Sequence, residues 1–488
     1  MIFTSFEYLL CFLPIAVCIT YFCARVKHAS AKIWVVFSSL FFYAFWKISY
    51  LPILVVSILF NYFCGRIVAR SAHKKICLAL SVAVNLAILG YYKYTNFAVH
   101  IINSITGADF HLEKIVLPLA ISFFTFQQIA WLIDQYRNDA PKSTFLEYVC
   151  AVAFFPHLIA GPIVQYHDLI PQFQCAKSFR PHWDSIAKGF FLIACGVFKK
   201  IIIADTLAVY VSFAFDETVT LNLLQAWLAV FSYTMQIYFD FSGYCDIAIG
   251  SSHLLGIRLP DNFHSPYKSS SVREFWQRWH MTLGDFLTHY LYIPLGGRGG
   301  GLARTCINVL LVMFLSGLWH GAAFGFILWG TLHGIAMVIQ RLWNAAGRTC
   351  PKAFATIFTF LFVAFAWVLF RATDLAAAVK VYKGMFGLGK ATLPHAFQGS
   401  LPTSWDMLLP TADVFGLEMT VMRPVLWALL AAFICVYTCP RAGQVWETLI
   451  LRKSRLTYAA SFGAAILILL SFAKMVAVPY TEFIYFNF

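Results

Sequence analysis

The chain has 488 residues, of which 60% are hydrophobic and only 12% charged, with a mean hydropathy of +0.72. A soluble domain of this length cannot hide so much apolar surface, so the surplus must face lipid. The formal charge of +14 does not point to nucleic acid, because the basic residues sit in short loops between apolar runs, where they orient spans.

The first apolar run, residues 8–23, has no basic stretch before it, and Glu7 is the only early charge. It therefore reads as a span and not as a cleaved signal peptide. Arg25, Lys27 and Lys32 follow it, which places the N-terminus outside and the first loop inside. Runs at 33–46, 53–64 and 77–91 come next, and Arg66, Arg70, Lys74 and Lys75 agree with that orientation. Shorter apolar segments at 117–132, 150–164 and 189–204 precede longer ones at 224–239, 305–318, 324–339, 355–370, 425–437 and 458–476. Helices are expected throughout, about 11–13 of them spanning or re-entrant, since a span must satisfy its own backbone hydrogen bonds. Arg452, Lys453 and Arg455 precede the last run, which puts the C-terminus outside as well. The 13 cysteines are scattered with no CxxC pair and read as small core residues, not metal ligands or disulfides. A short amphipathic surface helix is expected within LAAAVKVYKGMFGLG, where Lys380 and Lys383 strain the charge rule.

Polar residues inside such runs are costly and usually face protein or water. Three groups stand out. In YFDFSGYCDIAIG (238–250), Asp240 and Asp246 fit either a proton relay or a buried hydrogen-bonded scaffold; the scaffold is preferred. Gly243 and Gly250 there allow close backbone approach. The second group, residues 262–297, is rich in Lys268, Arg273, Arg278 and then Arg298 and Arg304, with Trp276, Trp279 and His280 interleaved. Trp276 and His280 are four apart and would share one helix face. This segment reads equally as an interfacial helix anchored by tryptophan and arginine and as a cytosolic mouth for an anionic ligand. The third is FLSGLWHGAAFG (314–325). A helix starting near Arg304 carries His320 about 24 Å up its axis, well inside the hydrocarbon layer. Gly317, Gly321, Ala322, Ala323 and Gly325 leave room around it. The imidazole there is either a bridge between helices or a general base poised near physiological pH. His333 reads as structural.

EFWQRWHMTL, LSGLWHGAAF and YFDFSGYCDIAIG together resemble the membrane-bound O-acyltransferase (MBOAT) family. FFPHLIAGPIVQYHDLIPQF, AWVLFRATDLAAAVKVYKGMFG and the closing FIYFNF are similar to the bacterial branch that O-acetylates polysaccharides such as alginate and peptidoglycan. The likeness runs along the whole chain. It implies an all-α polytopic fold, a ring of tilted helices around a thinned centre where a cytosolic donor funnel meets an outer acceptor funnel. One domain, 1–488, is expected, with N-terminal spans in 1–110, a catalytic core in 111–371, an outer loop in 372–423 and C-terminal spans and tail in 424–488. The bacterial inner membrane is the implied location.

The resemblance makes His320 the catalytic residue and His280 its recurrent companion. Acetyl-CoA would be the donor, with no permanently bound cofactor and no metal. Arg273, Trp276, Arg278 and Trp279 are the expected donor-binding residues, and Asp240 and Asp246 the structural polar core. The acceptor would be an extracytoplasmic polysaccharide. A periplasmic serine esterase-like transferase is the expected partner, alongside membrane lipid and without nucleic acid. The tail VPYTEFIYFNF has five aromatics in its last nine residues. It is either an interfacial aromatic belt or a segment that folds into the outer funnel. In the second case Tyr485 would accept acetyl as a phenyl ester, in parallel with the companion peptide of the D-alanylating relatives. Two alternatives remain: a proton-coupled transporter or flippase using Asp240, Asp246 and His320, and an acyltransferase for another acyl chain or acceptor.

Overall fold

Helix dominates because a chain lacking water around it must pair its own backbone groups. The computed structural model describes residues 1–113, 115–159, 161–389, 415–452, 456–477 and 483–484, and no strand occurs among them. The chain opens with α1 (Leu13–Val26), α2 (His28–Ala44), α3 (Leu51–Arg70) and α4 (Lys74–Thr106). Shorter, more buried helices follow: α5 (Ile121–Arg137), α6 (Phe145–Ala153), α7 (Phe155–Leu158), α8 (Tyr166–Gln174), α9 (Trp183–Phe198) and α10 (Asp205–Ser212). Then come α11 (Leu223–Leu254), α12 (Val272–Trp276), α13 (Met281–Leu287), α14 (Gly301–His320), α15 (Phe324–Ala345), α16 (Lys352–Arg371) and α17 (Leu375–Met385). The last are α18 (Met419–Thr438), α19 (Ala442–Arg452) and α20 (Leu456–Ala477). Among the described residues, eight helical segments are long and apolar enough to cross a bilayer, those carrying α1, α3, α4, α14, α15, α16, α18 and α20. The expected runs at 33–46, 117–132, 189–204 and 224–239 become α2, α5, α9 and α11, whereas 150–164 is no single helix, because the chain breaks at Phe154 between α6 and the four-residue α7. The protein is an all-α, multi-pass membrane protein.

Two runs that read as separate segments in the sequence, 224–239 and 238–250, are one helix. Its 32 residues amount to about 48 Å of axis, more than the ~30 Å hydrocarbon layer, so α11 must tilt. Asn222 and Gln225 form a reciprocal cap at its start, satisfying two orphan donors. Nearly its whole circumference is buried.

The closest partner of α11 is α9, and glycine sets their distance. Gly196 faces Gly243 and Gly189 faces Gly250, so the helices run antiparallel. A methyl group at Gly196 would stand 2.5 Å from the Gly243 carbonyl, and one at Gly189 would stand 2.8 Å from the Gly250 carbonyl. Backbone this close is how helices associate where lipid removes the hydrophobic drive. Gly243→Val should therefore separate α9 from α11. Overpacking typically costs about 1–3 kcal/mol even where side chains can yield, and here the obstacle is backbone. A large drop in unfolding temperature and in monodisperse yield is expected; unchanged values would show that the crossing is not tight.

That crossing brings lysines to the carboxylates of α11. Between α9 and α10 the helix widens into a π turn, Lys199–Ala204. Lys199 meets Asp246 at 2.6 Å, while Lys200 meets Asp240 at 2.8 Å and Asp205 at 2.7 Å. Both aspartates of the sequence motif thus sit in ion pairs, that of Asp240 fully buried, where removing one partner would strand a charge, and that of Asp246 partly exposed.

The amphipathic segment after α16 is α17, and it is packed, not merely laid on a surface. Ala378, Val381, Gly384 and Met385 are buried, and Trp227 of α11 donates to the Met385 carbonyl at 3.1 Å. Lys380 owes its position to two carbonyls at the end of another π turn: it donates to Phe215 and Thr218 at 2.8 Å each. Local hydrogen bonding outweighs the loop-charge tendency there. Residues 390–414 of the expected outer loop lie outside the described residues.

Candidate active site

His320 is the last residue of α14, where the chain leaves the helix through an extended Gly321 and turns into α15. The antiparallel α14–α15 hairpin closes because Gly317 lies against Gly330. That closure aims Trp329 of α15 at the imidazole, edge to face at 5.0 Å, while Phe370 of α16 approaches at 5.2 Å and Trp319 at 4.9 Å. The ring is 3% exposed. Aromatic walls of this kind hold an imidazole in one orientation and keep bulk water from it.

His280 lies at a break between α12 and α13. The expected shared face with Trp276 does not form, because α12 ends at Trp276 and His280 adopts a left-handed backbone, φ 46°. Its orientation follows from one side chain, Asn262. The backbone N–H of Thr282 reaches Asn262 Oδ1 at 3.3 Å, and an N–H must donate, so this atom is the amide oxygen. The Thr282 hydroxyl donates to the same oxygen at 2.9 Å. His280 Nδ1, 3.1 Å from that oxygen, must then carry the proton. Its Nε2 is left as a buried lone pair with no hydrogen-bond partner among the described residues. Phe241 stands 4.9 Å from the His280 ring and Trp319 stands 6.3 Å from it. Trp319 is therefore the shared neighbour of the two histidines.

Two cavities flank this centre. One, about 880 Å³, is lined by Lys93, Tyr233, Gln236, Gly321, Ala322, Ala323, Phe370 and Ile484 among others. The other, about 670 Å³, is lined by Lys188, Lys199, Tyr238, Asp246, Arg258, Asn262 and Arg441 among others. They meet α11 at Gln236 and Tyr238, only about 3 Å apart along its axis. One cavity opens beside the residues that follow His320. The second ends at Asn262, which holds His280. Each histidine has a neighbour in one of these linings: Gly321 follows His320, and Asn262 holds His280.

Arg273, Trp276, Arg278 and Trp279 take other places. Arg273 is exposed, and Arg278 pairs with Glu274 at 2.7 Å. Trp276 donates to His333 Nδ1 at 3.2 Å, which also gives His333 a structural task. Trp279 is buried against Phe263 and Trp367, both at 5.0 Å. The two tryptophans tie this segment to α15 and α16, and none of the four side chains lines either large cavity. The second cavity is lined by the bases Lys188, Lys199, Arg258 and Arg441 and equally by the acids Asp184, Asp246, Asp261 and Glu447, with Lys188 paired to Glu447 at 3.5 Å, Lys199 to Asp246 at 2.6 Å and Arg441 to Asp261. They come from distant parts of the chain, so no local pattern announces them. Asn262 began the polar stretch noted in the sequence but drew no attention there. Lys93 was hidden differently: its apolar run looked finished at residue 91, whereas α4 continues to Thr106 and keeps the lysine inside.

The tail reaches the same centre. Phe483 is fully buried and stacks on Tyr244 at 4.2 Å, with Phe241 at 5.7 Å. The Ile484 N–H donates to Asp240 Oδ2 at 2.9 Å, and Ile484 lines the 880 Å³ cavity. Asp240 therefore binds tail backbone as well as Lys200. Tyr485 lies outside the described residues.

Spanning helices that bury two histidines beside two separate cavities suit transfer of a group between two substrates. Residues 112–376 match MBOAT, the membrane-bound O-acyltransferase family. The chain belongs to this family and is an acyltransferase. It is 39% identical to the peptidoglycan O-acetyltransferase of Helicobacter pylori, over 94% of this chain and 91% of that protein. It is 40% identical to the probable alginate O-acetylase AlgI of Pseudomonas aeruginosa, over 82% of this chain and 78% of that protein. The likeness to the probable alginate O-acetylase AlgI of Azotobacter vinelandii is 36% and extends over 100% of both chains.

Proposed function

We propose that the protein takes acetyl from cytosolic acetyl-CoA and passes it across the bacterial inner membrane for O-acetylation of an extracytoplasmic polysaccharide, alginate-like or peptidoglycan. The observation that carries the reading is His320, buried at the end of α14, with the 880 Å³ cavity beside the Gly321–Ala323 turn that follows it and the 670 Å³ cavity reaching Asn262, which holds His280. Both kinds of polymer are named in the chain's relatives. The loop charges favour a cytosolic face for the 670 Å³ cavity and an outer face for both chain ends.

Acetyl-CoA is highly anionic and cannot cross lipid, but its thioester arm is thin. Arg258, which makes no ion pair among the described residues, is suited to hold a phosphate while the arm passes Asn262, with Lys188 and Arg441 beside it in pairs with Glu447 and Asp261. His320 removes the proton from an acceptor hydroxyl as the oxygen attacks the thioester carbonyl. The tetrahedral adduct then expels CoA thiolate, which takes the proton back from the imidazolium. His280, with its Nε2 lone pair facing the centre of the fold, assists orientation of the donor or proton transfer. Tyr485, next after the docked Ile484, is the proposed acceptor. Its acetyl ester would be reactive because phenoxide leaves readily, and a periplasmic serine esterase-like partner would collect the acetyl group for the sugar. A proton pathway through Asp240 and Asp246 has less support, because lysines neutralise both carboxylates.

Purified protein mixed with radiolabelled acetyl-CoA should consume the thioester and retain label covalently, on itself or on an added acceptor. Substrate movement without thioester consumption would replace this reading with a transporter. Donor placement has its own test. Arg258→Glu should raise the apparent KM for acetyl-CoA about tenfold while lowering kcat less, the pattern of lost ground-state binding. Arg273→Glu should leave both near wild type, and the opposite ranking would move the donor to the α12 segment.

A further inference from the structure

We propose that Lys93 is a positioning residue for His320, acting through the carbonyls at the end of α14 with Tyr94 as its helper. The inference rests on the reading of His320 as the base. The last four carbonyls of any helix lack intrahelical partners. Here the extended Gly321 provides no left-handed cap, and α4 satisfies three consecutive carbonyls instead. Tyr94 donates to Leu318 at 2.6 Å, while the Lys93 ammonium donates to Trp319 and, at 3.2 Å, to His320. Its remaining proton reaches the Ser122 hydroxyl at 3.4 Å. The Trp319 ring lies 6.0 Å from the ammonium.

Each of these contacts constrains the same short segment. The carbonyls of 318, 319 and 320 are held from α4, the Trp319 ring is held from the same amine, and the imidazole is walled by α15 and α16. Lys93 is buried, 8% exposed, in a spanning helix whose other buried residues, Ser81, Asn85 and Leu89, carry no charge. Such a lysine is costly in lipid, and a glycine or asparagine turn closes helices without one. A cation at a helix C-terminus is favourable, which offsets part of the cost. Lys93 borders the cavity beside Gly321, but its three protons already have acceptors. It therefore orients the base and does not bind substrate. A loosened α14 terminus would let the imidazole drift, and a displacement of about 1 Å costs on the order of 100-fold in rate.

Lys93→Met in the full chain should lower kcat about 30- to 100-fold, with the KM for acetyl-CoA within about twofold of wild type and little change in unfolding temperature. Tyr94→Phe should move kcat in the same direction by a smaller factor. A general structural defect would lower yield and disturb KM together. Folded Lys93→Met protein with wild-type kcat overturns the proposal. Should Lys93→Met not fold, Tyr94→Phe decides: reduced kcat at unchanged KM supports the clamp, and unchanged kcat overturns it. His320→Ala is measured alongside. If it stays active, the reading of the base fails; if it is inactive while Lys93→Met is fully active, only the clamp fails.

Discussion

His320→Ala is expected to abolish acyl transfer while leaving the fold intact. General-base catalysis is worth about 10²–10⁴ in rate, and the other basic nitrogen at this turn, that of Lys93, is engaged with the Trp319 and His320 carbonyls. The change removes ring contacts with Trp329 and Phe370 at 5.0 and 5.2 Å. Those rings also contact each other, at 4.9 Å, so the wall survives the loss. Unfolding temperature should fall little and expression should stay near wild type. Activity within about tenfold of wild type would remove His320 from the chemistry, because a lost base costs more than that.

Tyr485→Phe should produce the second large effect, complete loss of acetyl delivery to polysaccharide with donor binding preserved. The substitution removes one hydroxyl and leaves the aromatic ring. Phe483 would keep its stack on Tyr244, and Ile484 would keep its bond to Asp240, so tail docking should be retained. Mass spectrometry of trapped enzyme should find an acetyl group on Tyr485 in wild type and none in His320→Ala. Polysaccharide acetylation at the wild-type level by Tyr485→Phe would leave the tail with docking alone.

The spans were legible because an apolar run long enough to cross lipid has few other fates, and the boundaries of α14, α15 and α16 follow the sequence runs within a few residues. Gly243 and Gly250 announced the close crossing on α11, but their partners Gly189 and Gly196 on α9 needed the fold. His320 stood out as an imidazole among apolar residues. Lys93 did not, since a lysine at the edge of an apolar run reads as a surface anchor until the helix is seen to continue. The basic residues of the 670 Å³ cavity were illegible for another reason. Lys188, Arg258 and Arg441 are each unremarkable in sequence, and only packing makes them neighbours. In the arginine- and tryptophan-rich stretch that drew attention, Arg273–Trp279, the tryptophans pack against α15 and α16 while Arg273 stays exposed.

The central claim is transfer across the membrane at His320. It is tested most directly with sealed vesicles holding the protein in one orientation and labelled acetyl-CoA supplied on one side only. Donor given on the face where α14 begins should be consumed, with label becoming covalent on the opposite face, and His320→Ala vesicles should show neither event. Consumption of donor supplied only on the face where α14 ends, or label crossing as intact acetyl-CoA, would contradict the account.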